Sequence, residues 1–206
     1  MKFLALGDSY TIGESVFPSE RWPVQLVTLL RARGIALEDP EIIAKTGWTT
    51  DELMEGIIRA TPLPPYELVS LLIGVNNQYR GWSQEAYREE FAELLEQAID
   101  FAAGDPKRVL VLSIPDWGVT PFGARDIRGR TPAQISAEIA AFNTINREET
   151  ERLGAHYVDI TPISQGAADD LALLAPDQLH PSGKMYALWA EEVFAVLESQ
   201  DFIPDR

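Results

Sequence analysis

The sequence predicts an α/β protein: a three-layer α/β/α sandwich with helices on both faces of a central parallel sheet. Three observations carry this expectation. Short apolar runs alternate with longer stretches in which apolar residues recur at helical spacing, the pattern of strands joined by right-handed helical crossovers. Two of the short runs, Leu68 to Ile73 and Val109 to Ile114, are almost continuously apolar, as strands buried on both faces must be. The chain has 206 residues and 46% hydrophobic content, enough for one sizeable core, so a single domain is expected over residues 1–206.

Taken in order, Phe3 to Leu6 reads as the first strand and Trp22 to Leu30 as the first helix. Glu41 to Ala44 is a brief strand. Thr49-Thr50-Asp51-Glu52 has the spacing of a capping box and starts a helix carrying Leu53, Ile57 and Ile58, which Pro62, Pro64 and Pro65 close. After the Leu68 strand, a helix opens at Ser83 with Tyr87, Phe91, Leu94, Leu95, Ala98 and Ala102 on one face. The Val109 strand follows. Thr131-Pro132-Ala133-Gln134 joins a cap to a proline at the first helical position, and Ile135, Ile139, Phe142 and Leu153 continue an apolar stripe. A last strand lies near His156 to Ile160, and the final helix runs from about Ser182 with Tyr186, Trp189, Val193 and Leu197. The longest stretches without a period are Pro115 to Thr131 and Thr161 to His180, and segments of that size in a compact domain are often functional.

Composition narrows the function. A formal charge of -15 repels polyanions, so nucleic acid is not an expected partner. With no cysteine in the chain, disulfides, thiolate metal sites and a thiol nucleophile are excluded. Two distant histidines without clustered carboxylates give no metal-site spacing, and no phosphate-cradling or dinucleotide glycine pattern appears. The apolar stretch Phe3 to Leu6 is too short for a signal segment and no run approaches a membrane span, which makes a cytoplasmic protein without stable membrane insertion the expectation.

Each predicted strand exit delivers a distinctive loop to one edge of the sheet. Gly7-Asp8-Ser9 follows the first, Thr46-Gly47-Trp48 the second, and the segment Gly74 to Gly81 (GVNNQYRG) the third. Ala175 to Gly183 (APDQLHPSG) precedes the last helix. Together they supply a hydroxyl, a backbone amide at a glycine, amide side chains at Asn76 and Asn77, and an Asp-x-x-His pair. That is the inventory of acyl transfer: nucleophile, base, orienting acid and oxyanion donors. Singly, each has a plainer reading. Ser9 can cap the next turn, Gly47 can be a turn glycine, and Asp177 with His180 can be a surface turn stiffened by Pro176 and Pro181.

These blocks, in this order and over nearly the whole chain, resemble the SGNH hydrolases of the GDSL esterase and lipase superfamily. The matching segments are Gly7-Asp8-Ser9, Gly47, Gly74-Val75-Asn76-Asn77 and Asp177-Gln178-Leu179-His180-Pro181. Tyr10 stands where the family name has leucine, and Asn77 where aspartate is usual. The resemblance implies a flavodoxin-like sheet and hydrolysis of a small-molecule carboxylic ester, from simple acyl esters to lysophospholipids, without a cofactor. It implies Ser9 as nucleophile, His180 as base and Asp177 as its orienting acid, with the amides of Ser9 and Gly47 and the side chain of Asn76 as the oxyanion hole. Trp48, Asn77 and Tyr79 are the expected substrate contacts, with Trp82, Trp117 and Phe122 near the same loops. Arg80, Arg125 and Arg128 read either as contacts to an anionic leaving group or as solvated loop residues. Asp8 is expected to accept hydrogen bonds within its turn. Acyl transfer to an alcohol and ligand binding without catalysis are the alternatives. The nucleophile elbow of α/β-hydrolases does not fit, because Thr11 occupies the place of its last glycine.

Overall fold

In the computed structural model, which describes residues 1–200 and 202, the expected span 1–206 includes positions outside the described residues. Five parallel strands, β1 (Phe3–Gly7), β2 (Glu41–Ala44), β3 (Leu68–Leu72), β4 (Val109–Leu112) and β5 (His156–Val158), lie in the order β2-β1-β3-β4-β5. The helices are α1 (Ser9–Ile12), α2 (Trp22–Ala32), α3 (Thr50–Ala60), α4 (Val75–Arg80), α5 (Gln84–Phe101), α6 (Pro132–Leu153), α7 (Thr161–Gln165) and α8 (Gly183–Ser199). This is the three-layer α/β/α fold with flavodoxin-like strand order.

Right-handed crossovers decide the layers. The step from β1 out to β2 puts α2 on one face, and the steps through β3, β4 and β5 run the opposite way and put α3, α5 and α6 on the other. α8 returns to the first face and packs along α2, while α5 packs against α3 and α6. Every residue of β1, β3 and β4 is buried, whereas the edge strand β2 is partly exposed. α5 buries Tyr87, Phe91, Leu94, Leu95 and Ala98, and α8 buries Tyr186, Trp189, Val193 and Leu197. Each fully buried apolar side chain of this size contributes roughly 1.5–3 kcal/mol relative to exposure. The caps expected from sequence are present. The Glu52 carboxylate accepts from Thr49 N–H at 3.0 Å, and Thr131 and Gln134 reciprocate before α6.

Other expectations change. The segment after β3 is not an open loop but α4, so Asn76, Asn77 and Tyr79 are helical residues. The stretch 161–180 contains α7, and both long stretches are folded into short 3-10 turns. β4 and β5 stop short of Ile114 and Ile160, because Ser113 Oγ accepts from Ile160 N–H and Thr161 N–H and ends the ladder. Ile58 is 67% exposed, one helical position off the buried face that carries Leu53 and Ile57. Among the described residues no helix is long and apolar enough to cross a membrane.

Register brings the site together. Gly7 of β1 lies level with Ala44 of β2 and Leu72 of β3, so the three strands end side by side. β1 is also where the chain changes direction across the sheet, the position at which such sheets open a crevice for ligands.

Candidate active site

Ser9 is the first residue of α1, directly beyond β1. Asp8 caps that turn, its Oδ1 accepting from Tyr10 N–H at 3.0 Å. The turn presents the Ser9 hydroxyl to the loop between Ala175 and α8. That loop is closed by Ala175 N–H donating to His180 O at 2.8 Å, and Gln178 within it takes a left-handed φ of 61°. His180 Nε2 lies 3.0 Å from Ser9 Oγ, and Nδ1 lies 2.7 Å from Asp177 Oδ2. With the Nδ1 proton donated to the carboxylate, Nε2 is left to accept the serine proton.

Asp177 is richly held. Its Oδ1 accepts from Leu179 N–H and His180 N–H, each at 3.0 Å, and its Oδ2 accepts from Ser15 Oγ at 2.7 Å as well as from His180. Partial burial alone would raise its pKa, but the bonds from His180, Ser15 and the two amides hold it down at about 2. The acid therefore stays charged across the working range of an imidazole base.

Gly47 and Asn76 line the same cleft as Ser9. Gly47 has φ +88°, a conformation open to glycine at no steric cost, and nothing fills the space where a Cβ would sit. α4 grips this loop from one side: Asn76 Nδ2 donates to Trp48 O at 2.9 Å and Arg80 to Gly47 O at 2.7 Å. One N–H of the Asn76 amide is thereby fixed, leaving the other for the cleft. The amides of Ser9 and Gly47 are engaged by no acceptor among the described residues.

The cleft has a volume of about 200 Å³, and Ser9, Gly47, Asn76 and His180 all line it. Its apolar wall is Val75, Tyr79, Trp117, Phe122 and Leu179. Tyr10 also lines it, with its ring 5.5 Å from that of His180.

Of the expected substrate contacts only Tyr79 faces the cleft. The Trp48 ring lies over Gly56 of α3. Asn77 is fully buried, its Oδ1 accepting from Thr50 N–H at 3.2 Å and its Nδ2 donating to Thr50 Oγ1 at 2.7 Å. It ties the start of α3 to α4 and does not line the cleft. Trp82 lines a separate hollow with Arg128 and Arg130. Arg80 holds the Gly47 loop, Arg125 donates to Gln178 Oε1 at 2.7 Å, and Arg128 sits 4.5 Å from the Tyr79 ring centroid. Sequence reasoning missed Val75 and Leu179 in the wall, and it missed Ser15. Val75 and Leu179 stand inside quoted blocks beside Asn76 and His180, a signal that could have placed them, whereas nothing local marks Ser15, whose partner lies 162 positions away. Among the described residues no group of three or more histidines and carboxylates is arranged to hold a metal ion.

The model of the family described as GDSL-like Lipase/Acylhydrolase matches residues 5–188. No curated protein sequence matches the chain. Among solved structures, TesA superposes with a TM-score of 0.73 at 18% identity, covering 97% of this chain and 99% of that one. The psychrotrophic esterase EstA from a Pseudoalteromonas species gives a TM-score of 0.71 at 17% identity, covering 96% and 97%. The acetyl xylan esterase AlAXEase gives 0.72 at 14% identity, covering 96% and 100%. At these identities the superpositions describe a shared fold.

Proposed function

Because the chain belongs to the GDSL-like lipase/acylhydrolase family and is by that membership a carboxylic ester hydrolase, we propose that it works through an acyl-serine on Ser9, with esters of short acyl chains as substrates. The observation that carries this reading is the unbroken hydrogen-bond chain from Ser9 Oγ to His180 Nε2 at 3.0 Å and from His180 Nδ1 to Asp177 Oδ2 at 2.7 Å.

Ser9 Oγ attacks the ester carbonyl carbon as its proton passes to His180 Nε2, and Asp177 balances the imidazolium that forms. The carbonyl oxygen becomes an oxyanion that accepts from the amides of Ser9 and Gly47 and from Asn76 Nδ2. His180 then returns the proton to the departing alkoxide, which leaves as the alcohol. A water molecule, deprotonated by the same Nε2, attacks the acyl-serine and releases the acid with Ser9 restored. The chain supplies every group this sequence needs. The size of the cleft supports a short acyl group: about 200 Å³ lies below the roughly 300–1,000 Å³ of pockets for drug-sized ligands.

Hydrolysis of the p-nitrophenyl esters of acetate, butyrate and octanoate tests this. Wild type should turn over the two short esters faster than octanoate. Ser9→Ala and His180→Ala should lose several orders of magnitude in kcat while staying folded, and Asn76→Ala roughly 10²–10³-fold. Near-wild-type turnover by Ser9→Ala would overturn the proposal.

A further inference from the structure

We propose that Ser15 is a positioning residue for this hydrolysis, holding the Asp177 carboxylate in the orientation that His180 requires. The proposal rests on the roles of Ser9, His180 and Asp177 given above and adds a fourth side chain to them.

Ser15 Oγ reaches Asp177 Oδ2 at 2.7 Å across 162 positions of sequence, and it meets the same oxygen that accepts from His180 Nδ1. The other carboxylate oxygen is occupied by the amides of Leu179 and His180. Each oxygen thus has two donors, so rotation of the carboxylate breaks bonds in any direction. Without Ser15, Oδ2 keeps a single side-chain partner, the imidazole whose own position it is meant to fix. A hydroxyl donating to a charged carboxylate is among the stronger hydrogen bonds available here.

The backbone shows that the hydroxyl is what this position supplies. Ser15 is exposed, and its φ of 64° lies where a non-glycine residue is strained and glycine is at ease. Packing gives no reason for a serine there, and among the described residues Asp177 is the partner of its hydroxyl. The turn is also anchored toward the rest of the site. Gly13 N–H and Glu14 N–H both donate to Ser9 O at 3.0 Å, and the Glu14 carboxylate accepts from Thr46 Oγ1, next to Gly47. Residues 9 to 15 therefore carry the nucleophile, touch the glycine loop through Glu14 and touch the acid loop through Ser15. One short segment sets the distance between the reacting groups.

The test is a double-mutant cycle on ester hydrolysis with Ser15→Gly, Asp177→Ala and the combined variant, using thermal unfolding as the control. Ser15→Gly removes the hydroxyl while suiting the left-handed backbone, so relief of strain offsets part of the lost bond and the variant should stay folded at the assay temperature. Its kcat should fall about tenfold, with KM little changed, the size expected for losing one hydrogen bond to a charged group. In the Asp177→Ala background the same change should cost nothing, because its target is gone. Wild-type kcat in Ser15→Gly beside an impaired Asp177→Ala would overturn the role of Ser15 alone, as would an equal loss in both backgrounds. Wild-type kcat in Asp177→Ala would overturn the orienting role of Asp177 and that of Ser15 with it.

Discussion

Asp8 precedes Ser9 and is fully buried, with Oδ1 accepting from Tyr10 N–H and Oδ2 without a partner among the described residues. Desolvation raises its pKa from 3.8 to about 7, outweighing the lowering by the Tyr10 amide. A folded-state value above the unfolded one means that the native protein holds a proton the unfolded chain releases. The associated stability is complete below the unfolded value of 3.8 and is lost as pH rises through about 7. Asp8→Asn keeps the capping oxygen and removes the charge. Its melting temperature relative to wild type should therefore climb between about pH 4.5 and about pH 8. A difference that does not vary with pH would contradict the assignment. At this scale the sequence was legible where chemistry is local. Asp8 as a turn acceptor, and the Asp-x-x-His pair in a proline-bounded loop, depend on near neighbours. The surroundings of Trp48 and Asn77 were not legible, because their partners, Gly56 and Thr50, are supplied by α3.

At the scale of elements, α4 joins sheet to site, and its first turn depends on Gly74. That residue has φ +124°, and a Cβ there would lie 2.2 Å from the Tyr87 hydroxyl. The hydroxyl itself is fixed, donating to Asn146 Oδ1 at 2.6 Å beneath α6. Gly74→Ala meets both the backbone strain and the clash, and should cost about 2–4 kcal/mol in denaturant unfolding. Turnover should fall as well, since the strained turn leads directly to Asn76. An unchanged unfolding midpoint would show that the β3 exit yields more easily than the packing indicates. The long elements were readable because α5, α6 and α8 repeat an apolar period over several turns. α1, α4 and α7 have 4, 6 and 5 residues, too few to show one. The strand ends were overrun for a related reason. Ile73, Ile114 and Ile160 are all fully buried, so hydrophobicity continues past the point where the ladder stops.

For the whole molecule, alternation of strands and helices dictated a parallel sheet with helices on both faces, but not the strand order. Order comes from which way each crossover steps, a property of packing that leaves no mark in composition. The order matters for the site, because placing β1 between β2 and β3 brings Ser9, the Gly47 loop and Asn76 level and lets the loop before α8 descend on them. Four segments spread from residue 7 to residue 183 thus meet around one cleft. This cleft is proposed to make an acyl-serine at Ser9, and covalent trapping measures that step. Wild type treated with a p-nitrophenyl phosphonate should gain the mass of a single phosphonyl group, located by peptide mapping on Ser9, and lose esterase activity in step. Ester turnover undiminished in protein fully labelled at Ser9, or activity lost with the label on another residue, would contradict the proposal.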